Sequence, residues 1–483
     1  MPCDHTDNSV QSIMEKDKAI IIIGAGVMGL STTLSLLERG YTNIVLMDKR
    51  DYLTKGYYYF KGCDSASSDL NKIFRSSYGE EVHYQKMSMY SLKKFLQWNK
   101  EIKEQHWEGG EPIYLNTGNV HLTDKDELPL FEKTTLENMP EQSICVSDSN
   151  AREQARKKGL NECAVDPFDM KARGKHLQGV LDVTGGMTLA DKSCRWVLKK
   201  CREIGGDRLK TYFGEDGTFK KLLIEYNEAT GGKKCVGVKT DVDRLHFCDH
   251  LIACCGAWSA EVIPETSEKL EATAGSVCLF KVEDPEVQQK YAKEIFPTWT
   301  YKVRDGAIGG LYGFPCTQGF IKIGYRGLKW TNPVSDLNSK VKTRWSACGS
   351  ETNIPLFALK QSKNFVRENI PELKKVDATR ICWYSDSEDN DYLISYCPYY
   401  DDNSVFVMGG DSGHAFMMLG SIGDVAVDII NGTGDALLRE LFSWERIRAK
   451  LNLINAKTND PRVLGEATMA TANDWLIVKT AKL

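Results

Sequence analysis

The stretch that most narrows the choice of fold is AIIIIGAGVMGLSTTLSLLERG, residues 19–40. A continuous apolar run from Ala19 to Ile23 suits a parallel strand buried on both faces. Gly24, Gly26 and Gly29 then follow at GxGxxG spacing. In a strand–turn–helix unit the first glycine makes the tight turn and the second lets backbone approach a pyrophosphate. The third lets the helix pack on the strand. The pattern predicts a helix over Met28 to Glu38, closed at Arg39-Gly40. Its positive end, at Val27 and Met28, would face the phosphates. A second apolar strand, NIVLMD, ends at Asp48, 24 residues after Gly24. A ribose-binding carboxylate belongs there, with Lys49 beside it. A lone GxGxxG is weak. One set between strand and helix, with an acid at the next strand end, is a specific dinucleotide signal. It does not by itself separate NAD from FAD.

The remaining composition excludes several classes. The 483 residues suit two or three domains, or one large two-lobed enzyme. A net charge of −4 implies no polyanionic partner. No basic run interleaves with aromatics, so nucleic acid is not expected. The fifteen cysteines show no CxxC pair and no Cys/His ligand pattern. They read as reduced core thiols, not as disulfides or a metal site. Cys254-Cys255 fall in a buried-looking strand, and Cys194 and Cys201 lie one heptad apart on a predicted helix. The first 18 residues are polar and lack an apolar signal core. No run approaches 18 apolar residues, so no membrane span is expected. The chain ends Ala481-Lys482-Leu483, close to the Ser-Lys-Leu tripeptide read by the peroxisomal import receptor.

Four further segments carry candidate chemistry. SASSDLNKIFRSSYGEE, residues 65–81, combines small polar residues with Ser65, Asp69, Lys72 and Arg75. GFIKIGYR, residues 319–326, alternates like a strand, with Lys322, Gly324 and Arg326 on one face and Ile321, Ile323 and Tyr325 on the other. Same-face positions lie about 6.6 Å apart, so Lys322 and Arg326 can bracket a ligand across open space above Gly324. The alternative is an edge strand with two solvated cations. VFVMGGDSGHAFMMLGSIGDVAVDII, residues 405–430, reads as strand, Gly-rich turn and helix, with Met418, Ile422, Val425 and Ile429 as a core stripe. RICWYSDSEDND, residues 380–391, holds Cys382, which local composition alone reads as core filler. Tyr384 shares its face. Asp386, Glu388, Asp389 and Asp391 read as a solvated acidic turn, not a metal site.

Taken in order, GxGxxG with Asp48, SASSDLNKI, GAWS (256–259), GFIKIGYRG, RICWYSDSEDNDYLI and GGDSGHAFMMLGSIG resemble the sarcosine oxidase family of FAD-dependent amine oxidases. The likeness is greatest to the fungal amadoriases (fructosyl amino acid oxidases) and to saccharopine and pipecolate oxidases. It runs from about residue 19 to the C-terminus. It implies an α/β (α+β) chain with the two-lobed D-amino-acid-oxidase-like fold, a Rossmann-type FAD domain and an antiparallel-sheet substrate domain. The expected FAD domain is discontinuous, 15–95, 176–270 and 375–440. The expected substrate domain is 96–175 with 271–374, and 441–483 is a C-terminal tail.

The resemblance also implies roles. Cys382 matches the cysteine that forms a thioether to the 8α-methyl of FAD. Lys322 matches a lysine near the flavin that promotes reaction with oxygen, where a fixed cation stabilises charge developing on O2. Arg75 matches an arginine that holds a substrate carboxylate, and Tyr384 a substrate-side tyrosine. Gly256 ends the strand that returns to the dinucleotide, as in flavoproteins of the glutathione-reductase type. Gly413, His414, Phe416 and Met417 fall where relatives read Gly-His-Gly-Phe-Lys, so the carboxylate-binding lysine is absent at Met417. Arg326 stands where amadoriases have a sugar-side glutamate, a departure from an Amadori substrate. The implied activity is oxidation of a secondary or N-substituted amine to an imine with H2O2 formed, in a monomer delivered to peroxisomes or otherwise cytoplasmic. An alkaloid or natural-product tailoring step is one version of that activity. Fructosyl amino acid, saccharopine, pipecolate or sarcosine oxidation is the alternative, and a flavin-binding protein with decayed catalysis is the alternative of another class.

Overall fold

The computed structural model describes residues 14–58, 65–302, 310–333, 354–447, 453–454 and 459–477. The terminal Ala481-Lys482-Leu483 lies outside the described residues.

The apolar run forms the strand Ile20–Ile23, every residue of it buried. It sits centrally in a six-stranded sheet ordered Leu393–Tyr396, Val405–Gly409, His250–Ala253, Ile20–Ile23, Ile44–Asp48, Leu209–Phe213. All pairings are parallel except that of the edge strand Leu393–Tyr396. Parallel strands covered on both faces need no polar side, which is why Ile20–Ile23 and Val405–Gly409 read as unbroken apolar runs, while the outer Leu209–Phe213 does not. The helix Val27–Glu38 follows the glycine turn and stops at Arg39, with Gly40 in the left-handed region at φ +86°. The helix Ala190–Gly205 packs beside it, burying Cys194, Trp196 and Cys201.

A second, eight-stranded sheet is largely antiparallel, and from one edge inward it runs Ala378–Ser387, Leu270–Lys281, Phe320–Trp330 and Leu311–Gly313. Two of its strands, Gln178–Asp182 and Ala378–Ser387, come from ranges that the sequence assigned to the nucleotide domain. The 23-residue helix Val82–Glu104 buries Tyr84, Met87, Phe95, Trp98 and Ile102 in the core under the first sheet. Its last nine residues fall in the 96–175 range expected for the substrate domain.

Alternation in Phe320–Trp330 follows the period-2 reading. Ile321, Ile323 and Tyr325 enter the core of the second sheet with Cys278, Phe280, Ile381 and Trp383. The opposite face carries Lys322, Gly324 and Arg326, next to Arg380, Cys382 and Tyr384 across Leu270–Lys281. This strand lies inside the sheet, so the edge-strand alternative is overturned.

Candidate active site

A cavity of about 500 Å3 runs from the glycine turn to the second sheet, lined by both lobes. The glycines shape its nucleotide end. Gly24 has φ +101°, and a Cβ there would strike the Cys254 carbonyl. A Cβ on Gly29 would collide with the Gly24 carbonyl, so helix and turn touch only because residue 29 is glycine. A Cβ on Gly26 would lie 2.9 Å from Ser67 Oγ, on the cavity wall. The Val27 N–H points into the same place and donates to Ser67 Oγ at 2.9 Å. A helix N-terminus with free backbone approach fits a pyrophosphate.

Asp48 closes this end. Its carboxylate accepts from the Ala25 and Arg50 N–H groups, both at 2.8 Å. Lys49 lies 4.1 Å above the Trp258 ring. Met28, Ser65 and Gly256 (φ +54°) also line the cavity. The residues present therefore fit a dinucleotide.

At the other end the structure assembles a charge cluster that no single segment shows. Asp69 is buried and accepts from Lys322 Nζ at 2.7 Å. It also pairs with Lys72 at 2.8 Å and lies 4.0 Å from Arg380. Lys322 Nζ donates a second bond to the Asn71 carbonyl at 2.7 Å. Burial pushes the Asp69 carboxyl up, but Lys322, Lys72 and Arg380 outweigh it and hold it well below the usual range. Burial pushes Lys322 down to about 8, because Asp69 only partly offsets it and Lys72 adds repulsion. For Lys72 burial is likewise opposed by Asp69, and there the carboxylate wins, so its amine is raised. Three cations share one carboxylate, and Lys322 is the one left undercompensated.

Lys72 lines the cavity, and its Nζ lies 3.5 Å from Cys382 Sγ. Cys382 is buried with Val277 and Tyr384. Tyr384 and Trp383 reach the cavity wall. The space above Gly324 is not open, contrary to expectation. The Tyr312 ring fills it, as Tyr384 covers Gly275, where a Cβ would lie 2.7 Å from its hydroxyl. Arg326 instead turns to the glycine-rich turn, donating to the Ser412 carbonyl at 2.7 Å and lying 4.9 Å from the Tyr384 ring centre.

Within that turn Gly413 (φ +75°) and Phe416 line the cavity, but among the described residues His414 and Met417 do not. His414 stacks on Tyr392; its Nε2 donates to the Asn390 carbonyl at 3.0 Å and its Nδ1 accepts from the Tyr392 hydroxyl at 3.2 Å. Met417 Sδ accepts from the Tyr78 hydroxyl at 3.1 Å. Arg75 lies 4.0 Å above the Tyr78 ring and donates to the Ser77 carbonyl. Tyr78 thus brings Arg75 and the 413–417 turn together. The regular helix after the turn begins only at Ile422, so the 413–417 backbone is a turn with one 3-10 step.

The acidic segment after Tyr384 corrects the sequence reading. Asp386, Asp389 and Asp391 are buried, not solvated. Asp386 accepts from Thr273 Oγ1 at 2.6 Å and pairs with Lys329. Asp389 is held by two nitrogens of Arg446 at 2.7 and 2.9 Å, and Asp391 accepts from the Tyr84 hydroxyl at 2.9 Å. Strand continuation as far as Ser387 carries Asp386 inward, and Arg446 and Tyr84 hold Asp389 and Asp391 in the turn that follows. Among the described residues no group of three or more ligating side chains could hold a metal ion.

Sequence reasoning missed Ser67, Tyr312, Arg380 and Asp411. For Arg380 a signal existed, since it is a basic residue two positions before Cys382 in an otherwise apolar run. Tyr312 carried none, because only strand pairing places it over Gly324.

Comparison with known proteins agrees with this geometry. The model of the FAD dependent oxidoreductase family (DAO) matches residues 19–429. The chain is similar to the L-saccharopine oxidase of Schizosaccharomyces pombe, 26% identical over 441 residues, covering 88% of this chain and 93% of that protein. It is also similar to a monomeric sarcosine oxidase of Arthrobacter, 23% identical over 421 residues, with 85% and 92% covered. Among solved structures it matches the fructosamine oxidase Amadoriase II of Aspergillus fumigatus, with TM-score 0.67 and 22% identity, covering 89% and 90%. At that identity the likeness speaks for the fold alone.

Proposed function

Because the chain belongs to the FAD dependent oxidoreductase family, we propose that it is an oxidase of secondary or N-substituted amines, with O2 as acceptor. The observation that carries this reading is the single cavity joining the dinucleotide cradle to Lys72 and Tyr384, with Cys382 3.5 Å from Lys72 and the buried Lys322–Asp69 pair beside it. The similar proteins are oxidases of saccharopine, sarcosine and fructosamine, which share a secondary amine.

FAD held there would supply the two-electron acceptor for oxidation of the carbon beside nitrogen, with O2 as final acceptor and an imine and H2O2 as products. The chain's own residues prepare that chemistry. Gly24, Gly26, Val27 and Met28 would receive the pyrophosphate, with Gly29 holding the helix against the strand, and Asp48 would take the ribose. Cys382 would bind the flavin covalently, its sulfur set beside Lys72. The Lys322 ammonium, fixed by Asp69 and the Asn71 carbonyl, would stabilise negative charge developing on O2. Arg75 would take an anionic substrate group, since a guanidinium can hold a carboxylate alone. Met417 lies behind the cavity wall with its sulfur on the Tyr78 hydroxyl, so it adds no charge beside Arg75 for an anionic substrate group. The C-terminal tripeptide would direct the monomer to peroxisomes.

Acid precipitation of the purified protein tests the cofactor reading. A yellow pellet supports covalent FAD, and a white pellet under a yellow supernatant supports FAD without the thioether. A panel of secondary amines read by peroxide tests the activity. Colourless protein that takes up no FAD, or a flavoprotein that no amine bleaches anaerobically, would sink the proposal.

A further inference from the structure

The cavity holds a carboxylate at its substrate end for which no role has been given. Asp411 follows the strand Val405–Gly409 and lines the wall with Tyr384, Gly413 and Phe416. Two backbone donors from different elements clamp it. The Gly413 N–H donates to Oδ1 at 2.9 Å and the Ser385 N–H to Oδ2 at 2.8 Å. Each oxygen keeps a further lone pair, and the clamp prevents the group from swinging out to solvent. The other carboxylates on the wall, Asp48 and Glu261, lie at the nucleotide end, where both act on Cys255.

The charges around Asp411 are balanced. Arg326 and Lys329 face it from the strand Phe320–Trp330, and Asp386 from Ala378–Ser387. Tyr392 and His414 stand beside it. An ammonium arriving at this end comes near the Arg326 guanidinium, packed behind the wall residue Gly413, and loses solvation, and both effects favour shedding its proton. Hydride cannot leave the carbon while the nitrogen lone pair is tied up in an N–H bond.

We propose that Asp411 is a catalytic residue that accepts the proton of the substrate ammonium, so that the neutral amine is the species oxidised. This rests on the amine-oxidase reading above. The step is balanced: the N–H bond breaks, an O–H bond forms on Asp411, and the electron pair stays on nitrogen. The proton then passes to solvent, and no oxidant is consumed. Burial pushes Asp411 up to about 6, against the two backbone donors and Arg326, with Asp386 adding to the rise. A base in that range is ionised at neutral pH and still basic enough to take a proton.

The test uses the FAD-loaded full chain. tert-Butylammonium has no C–H beside nitrogen and cannot be oxidised, so its binding can be followed through the flavin spectrum without turnover. Wild-type affinity should rise roughly tenfold per pH unit up to about 6 and then level off. Asp411→Asn should abolish that dependence. In the same variant, anaerobic flavin reduction by an oxidisable amine should fall roughly 100-fold at pH 7. The gap should close above the free amine's own pKa, and reoxidation by O2 should be unchanged. A wild-type affinity that is flat from pH 5 to 8, or undetectable, would overturn the proposal. So would a variant slowed equally at every pH, which is what loss of the turn alone would give. Failure of the underlying reading looks different, because a protein without FAD has no spectrum to perturb.

Discussion

Replacing Asp69 by Asn should change the reaction with O2 although, in the proposed arrangement, Asp69 does not itself reach the flavin. The carboxylate lies 2.7 Å from Lys322 Nζ, and the other groups near it, Lys72 and Arg380, are both cations. At an effective dielectric near 20, a contact of this length is worth about 6 kcal/mol before desolvation is counted. If only a third of that survives, about 2 kcal/mol, Lys322 loses its proton about 1.5 pH units earlier. Its amine already sits near 8, so the variant's would lie near ~6.5.

The sign follows directly. Lys322 is charged below its pKa, so the oxygen-reactive form is present at low pH and lost as pH rises through about 8 in the wild type. At pH 7.5 the charged fraction would fall from about three-quarters to about one-tenth in the variant, a roughly eightfold slower reoxidation. Lys72 loses the same partner carboxylate, so a stability loss of about 3–5 kcal/mol accompanies the change. Stopped-flow mixing of reduced, FAD-loaded protein with O2 from pH 5.5 to 9.5 reads the limb directly. A limb at the same pH in wild type and D69N would refute the claim that Asp69 sets the charge of Lys322.

Other outcomes follow from the same geometry. Lys322→Met should leave anaerobic flavin reduction within a few-fold while reoxidation falls by roughly 100-fold; equal loss of both half-reactions, measured separately, counts against the assigned role. The same variant should melt close to wild type, because Asp69 keeps Lys72 at 2.8 Å and a lysine pushed down to about 8 gains nothing from being charged in the fold. Cys382→Ala should move yellow colour from the acid pellet to the supernatant; a pellet that stays yellow places the thioether elsewhere. Gly29→Ala should prevent FAD uptake or folding altogether, since its Cβ has no room against the Gly24 carbonyl; a variant with a normal flavin spectrum would contradict the close helix–strand contact. Met417→Lys should lower the KM for amines bearing a carboxylate relative to neutral ones, read from paired KM values, and no change would separate this position from anion recognition.

Much of the nucleotide half could be read in one dimension because its signals are local. The turn at Gly24, the helix Val27–Glu38 and the strand ending at Asp48 are set by residues within thirty positions of one another, and backbone sterics alone demand glycine there. Period-2 alternation was likewise enough to put Lys322 and Arg326 on one face. It could not say what stands on that face, because cross-strand neighbours come from remote segments. Tyr312 over Gly324, Arg380 beside Asp69 and the inward turn of Asp386 all depend on pairing between strands. A run of four acids in six residues looks solvated until Lys329, Arg446 and Tyr84 are brought to it from 57 or more positions away.

The sequence by itself determined a dinucleotide cradle and which residue types could serve beside it. Only the tertiary structure decided how their charges combine. One carboxylate shared among three cations leaves Lys322 easily discharged and Lys72 firmly charged. That division depends on burial and on distances of a few ångströms, which chain order does not encode.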